Sequence, residues 1–70
     1  MGIGNRIKAY RENKNMTQKE IAQILEVEPA TVSKYESGIL EPNIKSLKRL
    51  ADTFEISVDE LINEDIEKFD

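Results

Sequence analysis

Between Thr17 and Gly38 the chain sets out its most suggestive chemistry, Thr17-Gln18-Lys19-Glu20-Ile21-Ala22 followed by Ala30-Thr31-Val32-Ser33-Lys34-Tyr35-Glu36-Ser37-Gly38. The stretch reads as two short helices joined by a tight turn, the second with small and polar side chains on its outer face. Hydroxyl, amide, carboxylate and ammonium groups in that pattern are suited to hydrogen bonding and charge pairing. A helix with so slim an outer face is what the major groove of a DNA duplex admits.

Other chemistry finds little support in the composition. The chain has 70 residues, no Cys and no His, so it lacks thiolate ligands, the commonest general base and the commonest metal ligand. No carboxylate run has the Asp/Asn-Gly spacing of a calcium loop. Neither metal nor cofactor is expected. Nor is an enzyme, because no Gly-rich phosphate loop and no paired-carboxylate constellation occurs. Apolar runs stop at two or three residues, so neither a membrane span nor a secretory signal is expected. A cytoplasmic protein follows as the expectation.

The net charge of −4 opposes binding to nucleic acid, since phosphate contacts dominate such affinity. Its distribution is less hostile. Arg6, Lys8, Arg11, Lys14 and Lys19 face only Glu12 in residues 1–19, and Lys45, Lys48 and Arg49 face no acid in residues 42–50. Five Glu stand against Lys34 in residues 20–41, and eight acids stand against Lys68 in residues 51–70. Two basic segments therefore flank the helix pair, while the acidity gathers at the C-terminal end.

Five helices must position these groups. Ile3, Ile7 and Tyr10 recur at helical spacing, which predicts a first helix over about Ile3 to Asn13, stopped by Asn13-Lys14-Asn15. Thr17 and Glu20 have the spacing of a capping box, and Met16 with Ile21 that of a hydrophobic staple. Ile21, Ala22 and Leu25 make the inner stripe of helix two. Pro29 suits the first position of helix three, where its missing N–H costs nothing. Val32 and Tyr35 face inward, and Gly38 supplies a left-handed stop. Asn43 caps helix four, whose apolar face is Ile44, Leu47, Leu50, Ala51 and Phe54. Ser57 and Glu60 repeat the capping box, with Ile56 and Leu61 as its staple. Nothing alternates with period two, so no sheet is expected. The fold class is all-α, a compact bundle of five short helices over residues 1–62. Residues 63–70 are read as an acidic tail or an extension of helix five, because Ile66 and Phe69 continue the spacing of Ile62.

The same residues resemble the phage-repressor and Cro type of helix-turn-helix DNA-binding domain, the Xre type. The resemblance rests on Arg6-Ile7-Lys8-Ala9-Tyr10-Arg11, Met16 to Ala22, Ala30 to Gly38, Glu41-Pro42-Asn43-Ile44, Leu47, Leu50-Ala51 and Ser57-Val58-Asp59-Glu60-Leu61. It spans about residues 3–62 and implies a lambda-repressor-like domain with the helix-turn-helix at helices two and three.

The resemblance implies that helix three enters the major groove N-terminus first. Glu28, Pro29, Ala30, Thr31, Ser33 and Lys34 then become the base-reading candidates. Lys34 can donate to guanine O6 and N7, Glu28 can accept from cytosine N4, and Ala30 or the Thr31 methyl can meet a thymine methyl. Gln18, at the open N-terminus of helix two, becomes a phosphate contact, with Tyr35, Ser37, Asn43 and Lys45 as further ones. Asn43 can cap its helix and contact phosphate together. Arg11 and Glu36 match a pair that ties helix one to the end of the reading helix, a structural salt bridge.

The chain also departs from the pattern. Relatives usually place Gly where Glu26 and Glu55 stand, so left-handed geometry there would strain both Glu, and the alternative is a slightly altered turn. Glu28 replaces a better capping residue. Ile39 and Leu40 stand where many relatives carry Lys or Arg.

The implied function is a sequence-specific regulator of transcription that binds double-stranded DNA, most simply a repressor, acting as a homodimer on a palindrome. Ile62, Ile66 and Phe69 are the candidates for the dimer seam. The alternative is a protein-interaction module of the same fold, an antitoxin or an adaptor. Operator sequence and any small-molecule inducer are not legible.

Overall fold

The computed structural model describes residues 2–62, which form α1 (Ile3–Asn13), α2 (Gln18–Leu25), α3 (Pro29–Ser37), α4 (Ile44–Phe54) and α5 (Val58–Ile62), with no strand among the described residues. Each boundary has a local cause. At the start of α2 the Thr17 hydroxyl accepts from the Glu20 N–H at 3.0 Å, and the Glu20 carboxylate accepts from the Thr17 N–H at 2.8 Å. Ser57 and Glu60 repeat this reciprocal cap at 3.0 and 3.1 Å before α5. Asn43 Oδ1 accepts from the Ser46 N–H at 2.8 Å and starts α4. Pro29 opens α3 with no side-chain cap from Glu28, and Gly38 closes it at φ 83°. Glu26 and Glu55 end α2 and α4 in the left-handed region, at φ 60° and 59°. Asn15 adopts the same geometry, at φ 58°, one residue beyond the cap of α1.

The core is one cluster: Ile7, Ile21, Ala22, Leu25, Val32, Tyr35, Leu50, Ala51, Phe54 and Leu61. Burying an aliphatic or aromatic side chain of this size contributes about 1.5–3 kcal/mol. Nearly every inward position inferred from helical spacing is in this cluster or packed against it. Ile44 is the correction. Helical spacing puts it on the apolar face of α4, yet it is 63 % exposed. It is the first residue of its helix, and the core ends one turn further in, at buried Ser46 and half-buried Leu47.

Arg6, counted in the first basic segment, does not serve as a surface charge. It is buried, its Nε donates to the Leu61 carbonyl at 2.9 Å, and its Nη2 donates to the Glu60 carbonyl. Its guanidinium lies 5.8 Å from the centre of the Tyr10 ring, which stacks on Phe54 at 5.5 Å. The guanidinium thus satisfies carbonyls at the C-terminal end of α5, where a cation is also favoured by the helix dipole.

α3 packs on α1 and α2, and α5 packs on α1 and α4. The contact of α1 with α3 depends on Gly4. A Cβ there would lie 2.6 Å from the Glu36 carbonyl oxygen and nearer still to that of Tyr35. Backbone meets backbone at this crossing, which holds the C-terminal end of α3 tight against α1.

Candidate nucleic-acid interface

The helix-turn-helix pair leaves one face of α3 uncovered. Val32, Tyr35 and Glu36 are buried, whereas Glu28, Pro29, Ala30, Ser33, Lys34 and Ser37 are exposed and Thr31 is half-buried. Every base-reading candidate is therefore on the open side or at its edge. The short side chains of Pro29, Ala30, Thr31 and Ser33 keep that face slim. Lys34 provides its one cation.

A brace fixes the helix behind this face. Arg11 Nε donates to Glu36 Oε2 at 2.6 Å, and Nη2 donates to Oε1 at 3.2 Å. Arg11 Nη1 also donates to the Met16 carbonyl at 2.8 Å. Side-chain exposures of 12 % and 4 % take the pair largely out of water. The hydrogen bond to Glu36 raises the Arg11 pKa above its ordinary value, outweighing the cost of burial, and the Glu36 charge adds to the effect. Gln18, read as a phosphate contact, also joins this brace. Its Nε2 donates to Glu36 Oε1 at 3.0 Å. Three helices thus converge on one carboxylate, with α1, α2 and α3 locked in register.

Two clefts flank α3. The first, about 350 Å³, is lined by Gln18, Ser33, Ser37 and the Arg11–Glu36 brace, together with Asn5 and Lys8 of α1. The Ser37 hydroxyl, also proposed for phosphate, donates to the Lys34 carbonyl at 3.2 Å. The second, about 270 Å³, lies between the α2–α3 turn and the start of α4 and brings together Glu26, Tyr35, Asn43, Lys45 and Arg49. Tyr35 is buried, but it lines this cleft. All five phosphate candidates therefore line one cleft or the other.

Asn5, Lys8 and Arg49 are not among the site residues that the sequence singles out, although Lys8 and Arg49 belong to its two basic segments. A signal existed: Asn5, Lys8 and Arg11 follow one another at i, i+3 and i+6 on α1, and Arg49 is one turn beyond Lys45 on α4. Arg49 Nη1 donates to Glu26 Oε2 at 2.8 Å and to the Ile24 carbonyl at 3.3 Å. The Glu26 carboxyl is held below its ordinary pKa, first by that hydrogen bond and then by the charges of Arg49 and Lys45. Of the seam candidates, Ile62 is 44 % exposed, and Ile66 and Phe69 lie outside the described residues. Among the described residues no group of acidic, His or Cys side chains is placed to hold a metal.

The pattern of the helix-turn-helix family HTH_3 matches residues 7–61, most of the chain. This chain belongs to the helix-turn-helix family. Among curated members, it is 36 % identical over 63 residues to the transcriptional activator BcrR of Enterococcus faecalis, covering 90 % of this chain and 31 % of that protein. It is 38 % identical over 61 residues to the CTXphi phage repressor RstR of Vibrio cholerae, covering 87 % and 54 %. The chain therefore spans about a third to a half of the length of these two relatives. The fold is that of the P22 c2 repressor solved with a synthetic operator, with TM-score 0.83, 27 % identity and coverage of 90 % of this chain and 96 % of that one. SinR solved with DNA is similar at TM-score 0.75 and 32 % identity, covering 84 % and 95 %. The same helix-turn-helix fold also makes up part of an enzyme. Hydroxypropylphosphonic acid epoxidase from S. wedmorenis matches at TM-score 0.77 and 29 % identity, over 33 % of its chain.

Proposed function

We propose that this chain is the sequence-specific DNA-binding part of a transcriptional regulator, with α3 inserted in the major groove of a duplex. The observation that carries this reading is the slim polar face of α3, flanked on both sides by clefts holding cations and amides. A groove is bordered by two phosphate backbones, and a helix lying in it needs positioning groups on either flank. In this reading Glu28, Pro29, Ala30, Thr31, Ser33 and Lys34 meet base edges. Gln18, Ser37 and Lys8 attend one backbone, and Tyr35, Asn43 and Lys45 the other. The family's repressors and their structures with operator DNA support the assignment. A binding module rather than an enzyme is further supported by a chain without His or Cys.

The regulator acts in this reading as a homodimer on a palindrome, with the two reading helices one helical turn, about 34 Å, apart. A single module of this size buries too little DNA for high specificity, so pairing supplies the remainder. Sedimentation with and without duplex tests the pairing, and a monomer in both conditions at high concentration counts against it.

A second reading, a protein-interaction module, is favoured by Ile39, Leu40 and Ile44, which are 76 %, 45 % and 63 % exposed. Selection from a pool of random duplexes separates the two readings. Enrichment of a defined site at moderate salt supports the regulator. Absence of duplex binding even at low salt favours the module.

A further inference from the structure

We propose that the Glu26 carboxylate is a built-in competitor for a DNA phosphate, occupying Arg49 in the α4 cleft and lowering the chain's affinity on that flank. The inference rests on the DNA-binding reading above and deepens it.

Glu26 stands in the turn between the paired helices, at φ 60°, where Gly would be free of strain and would carry no charge. Its Oε2 takes a hydrogen bond of 2.8 Å from Arg49 Nη1, and both side chains line the cleft with Lys45 and Asn43. The pair is open to water, with exposures of 74 % for Glu26 and 34 % for Arg49. An exposed ion pair is weak enough to be exchanged. The remaining N–H groups of Arg49 have no partner among the described residues, and the Asn43 side-chain oxygen is engaged at the cap while its amide N–H groups have no partner there. Asn43, Lys45 and Arg49 all line the cleft. A phosphate oxygen entering it meets Arg49 already engaged by an anion of the same chain.

Binding at this flank then exchanges one carboxylate for one phosphate. The exchange costs the intramolecular pair and brings the displaced carboxylate close to the duplex. Removing the carboxylate should raise affinity in two separable ways, by freeing Arg49 and by removing a negative charge near DNA. Only the first depends on Arg49.

The test uses wild type, Glu26→Gln, Arg49→Gln and the double variant, each checked for helix content, titrated against a selected duplex over a range of salt. Glu26→Gln should bind about two- to fivefold tighter, the range an exposed pair permits. Its plot of log affinity against log salt should steepen by about one, as for one additional phosphate contact. In the Arg49→Gln background the same substitution should yield less than half of that gain and no steeper slope. An equal gain in both backgrounds, or none in either, overturns the competitor while leaving DNA binding intact. Failure of all four proteins to bind any duplex overturns the DNA-binding reading and this inference with it.

Discussion

Arg11 and Glu36, 25 positions apart, meet through two hydrogen bonds of 2.6 and 3.2 Å with Glu36 almost wholly out of water. The fork of the guanidinium matches both oxygens of the carboxylate, which fixes orientation as well as distance. Because Gln18 bonds the same carboxylate, this one point joins α3 to both α1 and α2. Arg11→Ala leaves Glu36 buried with Gln18 as its one side-chain partner. Losing one member of such a pair costs about 3–5 kcal/mol, comparable with the whole stability of a small domain. Urea unfolding followed by circular dichroism should show that loss. Arg11→Met combined with Glu36→Leu should recover most of it, because hydrophobic replacement of both partners is commonly neutral. A single variant within about 1 kcal/mol of wild type would deny the brace its role.

Gly4→Ala should destabilise the fold although Ala is the better helix former. Its methyl would press on the carbonyl oxygens of Tyr35 and Glu36, backbone atoms that move only if a helix moves. Overpacking of this kind costs about 1–3 kcal/mol. Gly2→Ala, at the N-cap of α1, is the steric control, since a Cβ there meets nothing within 4 Å and the change of cap costs about 1 kcal/mol or less. Thermal unfolding of the two variants should differ clearly, with Gly2→Ala close to wild type.

Arg6→Ala should weaken the anchorage of α5. It removes the donor to the Leu61 and Glu60 carbonyls and the cation beside Tyr10. A hydrogen bond from a charged group contributes about 1.5–3 kcal/mol, so a loss of at least that size is expected by urea unfolding. Hydrogen exchange should show the earliest opening in α5. Unchanged protection there would contradict the anchor.

The two left-handed glutamates give a pH-dependent prediction. Glu55 is hydrogen-bonded by Lys14 at 2.6 Å, which lowers its pKa, as Arg49 lowers that of Glu26. A carboxyl with a lowered folded pKa contributes stability that is fully present above its unfolded value, near 4.5. That contribution fades as pH falls through the folded value. The difference between wild type and the double variant Glu26→Gln/Glu55→Gln should therefore be present at neutral pH and shrink in acid. Both pairs are exposed, so salt should shrink it too. Glu26→Gly should be more stable than Glu26→Gln, because Gly adopts this backbone without strain. Equal stability would show that the turn carries no strain.

These residues also mark what the sequence could and could not disclose. Caps at Thr17, Asn43 and Ser57, the stop at Gly38 and the left-handed turns at Glu26 and Glu55 depend on a few adjacent residues, so local spacing or the family resemblance discloses them. Gly4 depends on how closely α1 crosses α3, and nothing in its neighbours encodes that. Arg6 looks like any solvated cation until α5 is placed beside it. Ile44 satisfies helical spacing but falls beyond the edge of the core, which is a property of the packed bundle. On α3, side-chain type and the family motif single out residues that the fold leaves exposed or half-buried. The second partner of each group was hidden: Glu36 for Gln18, and Glu26 for Arg49. Such pairings join positions far apart in sequence and require the fold.

The most direct test of α3 as the reading element is a base-by-base scan of a selected duplex with wild type, Lys34→Ala and Lys45→Ala. Lys34→Ala should lose about 1–3 kcal/mol of discrimination at one base pair per half-site and keep it elsewhere. Lys45→Ala should weaken binding to all sequences alike and reduce the salt slope by about one. If Lys34→Ala instead weakens every duplex equally, or leaves discrimination at every base pair unchanged, α3 does not read sequence through Lys34 and the central assignment is wrong.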